Sequence, residues 1–115
     1  MTWKLAKTPD KMLWRWINEE HLRYYSGYSD PITLSDGYAA SVSTNVMAAA
    51  ASLTMPTLIV AGALDNIAPL VHQRELVKLL SDGKLVVIDG VGHLVHYEAP
   101  AEAAAAITEF LGAHA

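Results

Sequence analysis

Cysteine is absent from this sequence of 115 residues, which excludes disulfide bonds, thiolate zinc sites and a cysteine nucleophile. Charged residues are also scarce at 17%, and the net charge of −4 comes without any basic block, so nucleic acid is not an expected partner. No apolar run reaches the about 18 residues of a membrane span, and the first residues lack the apolar stretch of a secretory signal. We therefore expect a globular, cytoplasmic protein.

The chain changes character along its length, although its size suits a single modest core. All three tryptophans and five of the eight basic residues lie near the N-terminus, before Tyr24. Apolar residues at helical spacing predict helices in this half, and Thr8-Pro9 predicts the start of the first helix. We therefore separate a helical segment, residues 1–53, from a second part, residues 54–115.

The second part alternates strand and helix patterns. Residues 57–61 and 84–88 are short apolar runs without alternation, which favours strands buried on both faces of a parallel sheet. A helical pattern over residues 70–80 joins the two runs, and Pro100 begins a final helix. This order predicts an α/β fold with a parallel βαβα unit.

A polar loop follows each predicted strand. Asp65 lies in the loop after the first strand, and His93 lies in a glycine-containing loop after the second. Because the carboxyl ends of neighbouring parallel strands open on one edge of a sheet, we expect the two side chains to meet there. A carboxylate beside an imidazole fixes its tautomer and stabilises the imidazolium, as a general base requires. Taken singly, each motif is an ordinary turn or loop, so the catalytic interpretation depends on both occurring in this order.

The stretches PTLIVAGALDNIAP and KLVVIDGVGHLVHYEAPAEAAAAITEFL closely resemble the C-terminal end of α/β-hydrolase family proteins. In that family one strand ends in G-x-x-D, which carries the triad acid, and the next leads into a G-x-G-H loop, which carries the triad histidine. The resemblance implies that Asp65 is the acid and His93 the base. It further implies a partial α/β-hydrolase fold, in which residues 1–53 form a cap-like helical segment with the return to the core, and residues 54–115 form the C-terminal core.

A metal site is the alternative use of the histidines. His93 and His96 are three residues apart, and Glu98 is near. Metalloprotease motifs place such histidines on a helix, whereas this stretch is a glycine-containing loop, and a metal would occupy the lone pair that a base needs. We therefore predict no metal and no cofactor, and we expect His96 and Tyr97 to pack beneath the loop.

The nucleophile that the resemblance requires is missing from the sequence. In the family a serine in a G-x-S-x-G elbow precedes the acid. The nearest match is Gly27-Tyr28-Ser29-Asp30-Pro31, but a helical pattern precedes it and Pro31 occupies the place of a small residue. No G-x-D-x-G for an aspartate nucleophile occurs either. We therefore expect the nucleophile on an N-terminal hydrolase half.

A partner is also expected from the sheet itself. Two parallel strands are too few for an independent sheet, and the strand at residues 57–61 would leave an unpaired apolar edge. The N-terminal hydrolase half or self-association would cover it.

The expected function is serine-dependent hydrolysis of a small ester, amide or carbon–carbon bond substrate. Aromatic side chains of the first helix are expected to roof a pocket for a small apolar substrate, or else to serve only in helix packing: Trp14, Trp16, Tyr24 and Tyr25. A non-catalytic remnant that binds or pairs is the alternative. A membrane-surface helix ranks last, because acidic residues dilute its aromatic and basic set, which includes Trp3 and Lys4.

Overall fold

The structure, a computed structural model, describes residues 5–115. Trp3 and Lys4, which contribute to the membrane-surface hypothesis, lie outside the described residues. The first half of the described chain is helical: α1 spans Lys11–His21 and continues as a π-helical turn over Leu22–Ser26, α2 spans Pro31–Ser43, and α3 spans Met47–Ala50. Within residues 5–115, no helix is long and apolar enough to cross a bilayer.

The first helix begins later than Thr8-Pro9 predicts. The side chain of Asp10 accepts hydrogen bonds from the N–H groups of Met12 and Leu13, at 2.8 and 3.2 Å, so Asp10 is the cap and Lys11 begins the helix. The hydroxyl oxygen of Thr8 instead accepts the Asp10 N–H at 3.2 Å. Both residue types suit a cap, and the local hydrogen bonds favour the later one.

The second half alternates strands and helices. Strand β1 spans Thr57–Gly62, α4 spans Leu70–Leu79, β2 spans Gly83–Ile88, α5 spans Val95–Glu98 and α6 spans Pro100–Ala113. The two strands pair in parallel, in a register that runs from Thr57 opposite Gly83 to Gly62 opposite Ile88. The predicted parallel βαβα unit is therefore confirmed, apart from α5, a single turn within a segment expected to be a loop. The domain division at residue 53 stays a prediction.

The core is small and lies beneath β2 and the loop after it. Ile88, Val91, Ala99 and Ala103 form its buried cluster, against which half-buried valines pack. No large side chain is fully buried in the part of the chain that the structure describes. Helix α2 buries none of its residues, and Ile32 and Tyr38 are each 71% exposed. Much apolar surface of the described residues is therefore not covered by contacts within the chain.

The loops that follow the two strands touch through their backbones. We name residues 63–69 the acid loop and residues 89–93 the histidine loop. The N–H of Ala63 donates to the carbonyl of Ile88, and the N–H of Leu64 donates to that of Val91, both at 2.9 Å. A Cβ atom on Gly62 would lie 2.7 Å from the Val91 carbonyl oxygen and would collide with the Gly92 carbonyl. Glycine at position 62 therefore permits this approach.

Gly90 permits the turn that leads out of β2, for a different reason. Its φ of 75° lies in the left-handed region, which side chains with a Cβ disfavour. Gly90 therefore serves the tight path that the sequence predicts for the histidine loop.

We predict that Gly62→Ala lowers the free energy of unfolding by about 1–3 kcal/mol, because the added methyl meets rigid backbone rather than a flexible side chain. Urea denaturation would measure the change. Gly112→Ala is the matched control, since no atom of residues 5–115 lies within 4 Å of a Cβ atom at that position. A Gly62→Ala variant as stable as the control would show that the two loops do not depend on this contact.

Candidate active site

Asp65 and His93 meet at the carboxyl edge of the sheet. Oδ2 of Asp65 lies 2.9 Å from Nδ1 of His93. Each residue follows the end of one of two adjacent parallel strands, β1 and β2. The geometry expected from the order of the two motifs is therefore confirmed, whereas the chemical roles of the two residues stay predictions.

The Asp65 carboxylate is held by the acid loop as well as by the imidazole. Its side chain is only 6% exposed, and Oδ1 accepts the N–H groups of Ile67 and Ala68 at 2.8 and 3.0 Å. Burial acts to raise the pKa of Asp65, but the hydrogen bond from Ala68 and that from His93 lower it. These and the weaker bond from Ile67 outweigh burial, so the pKa of Asp65 lies below its ordinary value. Asp65 is therefore ionised at neutral pH.

The ionised state of Asp65 assigns the tautomer of His93. An ionised carboxylate only accepts hydrogen bonds, so Nδ1 of His93 must carry the proton that is shared with Oδ2. In the neutral ring, Nε2 then keeps its lone pair. The His93 side chain is 38% exposed, much more than that of Asp65. The pair therefore has the arrangement of a general base with a buried acid that orients it.

The histidine loop is held on a second side by residues that sequence reasoning did not assign to the site. We name residues 5–8 the strap. The His93 N–H donates to the Leu5 carbonyl at 2.7 Å, and the Gly92 N–H donates to Oε2 of Glu98 at 2.8 Å. Gly92 is required here for its small size, because a Cβ atom would collide with the Leu5 carbonyl. The sequence drew attention to Glu98 only as a neighbour of His93 and His96 in the metal-site alternative.

The two tryptophans proposed to bind substrate lie on different sides of α1. Residues two apart on a helix do not face each other. Trp14 is half-buried and lines a recess with Thr8, Pro9 and Lys11. Trp16 is 48% exposed and contacts the ring of Tyr97 edge to face, with centroids 5.5 Å apart. Trp16 is therefore the aromatic residue of α1 that the structure links to the segment after His93.

The two tyrosines proposed for the same role lie in the π-helical turn and are exposed. Tyr25 stacks on His21, and Arg23 lies 5.8 Å from the ring centroid of Tyr24. These are contacts within one helical stretch. Substrate binding by Trp14, Trp16, Tyr24 and Tyr25 stays a prediction.

The expected position of His96 is wrong. His96 is exposed on α5 and contacts the ring of Tyr97, with centroids 4.5 Å apart, whereas Tyr97 is half-buried. The one-turn helix α5 turns His96 outward, because adjacent residues on a helix point in different directions. Among residues 5–115, no three side chains of metal-ligating type form a cluster that could hold an ion.

Ser29 lies between two helices and not in an elbow after a strand. The π-helical turn precedes it, and Asp30 caps α2 by accepting the Thr33 N–H at 2.9 Å. Pro31 occupies the first turn of α2, and the Ser29 hydroxyl donates to the carbonyl of Tyr25. This placement agrees with the rejection of Ser29 as a nucleophile on sequence context.

Comparisons with known proteins agree with this architecture. Residues 2–100 match a family model described as alpha/beta hydrolase fold. The chain is 27% identical over 103 residues to Epoxide hydrolase A of Mycobacterium tuberculosis, a match that covers 84% of this chain and 32% of that protein.

Two solved structures show the same likeness. A thermophilic esterase from Thermogutta terrifontis is 30% identical, with a TM-score of 0.56 over 57% of this chain and 24% of that one. An alpha/beta hydrolase enzyme from a Medee basin deep-sea metagenome library is 23% identical, with a TM-score of 0.71 over 95% of this chain and 41% of that one. The resemblance and the partial fold predicted from the sequence are confirmed, and the chain spans less than half the length of each of these three proteins.

We predict that Asp65→Asn reverses the tautomer of His93 while the chain stays folded. The amide oxygen of the asparagine can still accept the N–H groups of Ile67 and Ala68, but its NH₂ group faces Nδ1 of His93, which must then accept. Ring ¹⁵N chemical shifts of His93 would report the exchange of the proton to Nε2. His72, which pairs with Glu75 on the exposed face of α4, is the internal control. Unchanged His93 shifts would contradict the tautomer assignment.

We predict that Asp65 makes the chain sensitive to acid. The pKa of Asp65 in the folded chain lies below the pKa of an unfolded aspartate, which is about 3.9. The ionised Asp65 therefore contributes its full stabilisation above pH ~3.9, and this contribution is lost as the pH falls through the pKa of the folded chain. Urea denaturation between about pH 6 and pH 2 should show a steeper loss for the wild type than for Asp65→Asn. Asp36→Asn, at an exposed position on α2, should keep the wild-type slope. Parallel curves for wild type and Asp65→Asn would refute the assignment.

Proposed function

The chain belongs to the α/β-hydrolase family, and on that premise we propose that it supplies the acid and the base of a serine-dependent hydrolysis. The observation that carries the proposal is the hydrogen bond of 2.9 Å between Asp65 and His93 at the ends of adjacent parallel strands. The substrate is a small ester, amide or carbon–carbon bond compound. The likeness to an esterase at 30% identity favours an ester.

The two residues divide the proton chemistry between them. A serine attacks the substrate while Nε2 of His93 takes the hydroxyl proton, and the imidazolium that forms is stabilised by the ionised Asp65. His93 then returns the proton to the leaving group, which departs and leaves the acyl group on the serine. In the second half, His93 takes a proton from the water that cleaves this acyl-enzyme and passes it to the serine oxygen. Asp65 stays ionised throughout, which agrees with its lowered pKa.

The serine belongs, in this proposal, to an N-terminal hydrolase half. The chain covers 32% of Epoxide hydrolase A and 24% of the esterase, and it contains no G-x-S-x-G. An apolar groove of about 240 Å³ lies between α3, β1 and α4, lined by residues that include Ala50, Ile59 and Leu76. The groove and the unburied helix α2 support association with that half, or self-association, in the cytoplasm.

Epoxide hydrolysis is the second candidate, favoured by the relative named Epoxide hydrolase A. An aspartate nucleophile would attack an epoxide carbon, the ring C–O bond would break, and the released oxygen would take a proton from solvent. His93, oriented by Asp65, would then take a proton from the water that hydrolyses the resulting ester. This chain contains no G-x-D-x-G, so the nucleophile would again lie on the other half. Comparing a nitrophenyl ester with an aryl epoxide as substrates of the assembled protein separates the two.

A non-catalytic remnant that binds or pairs is the alternative outside enzymes. Its support is the absence of an elbow from the sequence together with the exposed apolar surface of α2. It requires no proton transfer by His93, and the following experiment distinguishes it from the enzyme.

We predict that the 115-residue chain alone does not turn over nitrophenyl acetate above the background of an exposed histidine, because a base and its orienting acid lack a nucleophile and oxyanion donors. Adding a polypeptide with the G-x-S-x-G half should restore hydrolysis. His93→Ala should abolish the restored rate, Asp65→Asn should lower it strongly, and the control His72→Ala should leave it unchanged.

Ser29→Ala tests the opposite hypothesis, that Ser29 is itself the nucleophile. It should not change the restored rate, since Ser29 lies in a helix connection. Robust turnover by the isolated chain that disappears in Ser29→Ala would overturn the proposal. Assembly with the second half without any activity would favour the non-catalytic remnant.

A further inference from the structure

Among residues 5–115, the carboxylate of Glu98 binds three backbone N–H groups and no side chain. Oε1 accepts the N–H groups of Lys7 and Thr8, both at 2.6 Å, and Oε2 accepts the N–H of Gly92 at 2.8 Å. Two of these donors are in the strap, and the third is the residue before His93. Glu98 therefore joins the strap to the histidine loop, which lies about 85 residues further along the chain.

The strap reinforces the same connection through the backbone of His93. The N–H of His93 donates to the Leu5 carbonyl at 2.7 Å. The N–H groups of Gly92 and His93, which belong to two successive peptides, are thus bound by Glu98 and by Leu5 of the strap. On the opposite side of the loop, the Val91 carbonyl accepts the Leu64 N–H from the acid loop. The histidine loop is therefore held between the acid loop and the strap.

The direction of an imidazole depends on the backbone that carries it. The orientation of the His93 ring therefore depends on the two peptides that meet at Gly92. The acid loop binds only the Val91 carbonyl there, whereas Glu98 and Leu5 bind the N–H groups of Gly92 and His93. Hydrogen bonds to a charged acceptor are stronger than neutral ones, so a carboxylate with three donors is a firm anchor. The adjacent contact of Tyr97 with Trp16 ties α1 to the same stretch.

We propose that Glu98 is a positioning residue for His93: by anchoring the strap to the histidine loop, it sets the orientation in which His93 meets Asp65. The proposal rests on the proposed function only in that His93 is the base. Glu98 does not touch the reacting atoms; it acts through the backbone of residues 92 and 93.

The test reads the His93 tautomer by ring ¹⁵N chemical shifts in the 115-residue chain. In Glu98→Ala, we expect the ratio of the Nδ1–H to the Nε2–H form of His93 to fall about tenfold, because the ring loses its fixed approach to the Asp65 carboxylate. Glu98→Gln keeps an oxygen for the strap but brings an NH₂ group to the Gly92 N–H, so an intermediate fall is expected. Glu102→Gln, at an exposed position on α6 with the same loss of charge, should leave the ratio unchanged.

A purely structural role for Glu98 predicts a different result. It would lower the free energy of unfolding in Glu98→Ala but leave the His93 tautomer ratio within about twofold of the wild type, since Asp65 would still bind the ring. That outcome overturns the proposal. Thermal unfolding of each variant, measured in parallel, separates the two effects.

A second measurement applies if Glu98→Ala does not fold. In the unmodified chain, the N–H groups of Lys7, Thr8 and Gly92 should be protected from hydrogen exchange with similar opening free energies, because one carboxylate holds all three. Exchange of Lys7 and Thr8 about tenfold or more faster than Gly92 would overturn the proposal. Neither readout uses hydrolysis, so an inactive assembly would refute the proposed function and leave the result on Glu98 standing.

Discussion

The close approach of β1 to the histidine loop is the constraint on which the site depends. Gly62 brings the end of β1 against the carbonyls of Val91 and Gly92, and two hydrogen bonds join the acid loop to the end of β2 and to the histidine loop. Because backbone meets backbone there, the two loops cannot move independently. The packing of the strand ends thus sets the distance between the backbones of Asp65 and His93. The hydrogen bond between the two side chains then forms across that distance.

Two carboxylates use backbone N–H groups in the site for different purposes. Asp65 binds two N–H groups of its own loop, which keeps it ionised while its second oxygen faces His93. Glu98 uses both of its oxygens to bind N–H groups from the strap and the histidine loop. In each case the donors are amides that no helix or strand would otherwise satisfy. The negative charges therefore stabilise loop conformation and, at Asp65, also serve the proposed chemistry.

Because the core is small, much apolar surface of the described chain stays exposed. The buried cluster around Ile88 and Val91 serves the histidine loop, whereas α2 and the groove beside β1 remain uncovered by the described residues. Contiguous apolar surface of this kind is typical of an interaction site. Association of this surface with an N-terminal half or with a second copy of the chain stays a proposal.

The sequence by itself determined the strands, the final helix and the positions of Asp65 and His93, because apolar runs and the loops at strand ends are local patterns. It also predicted that Ser29 follows a helix and not a strand, since the helical pattern before Gly27 is local as well. It did not determine the roles of Gly62 and Glu98, whose partners lie about 30 and 90 residues away. It likewise did not separate Trp14 from Trp16, because the face each side chain presents depends on where α1 packs. Only the tertiary structure decided these points, since they depend on contacts between segments that no local pattern records.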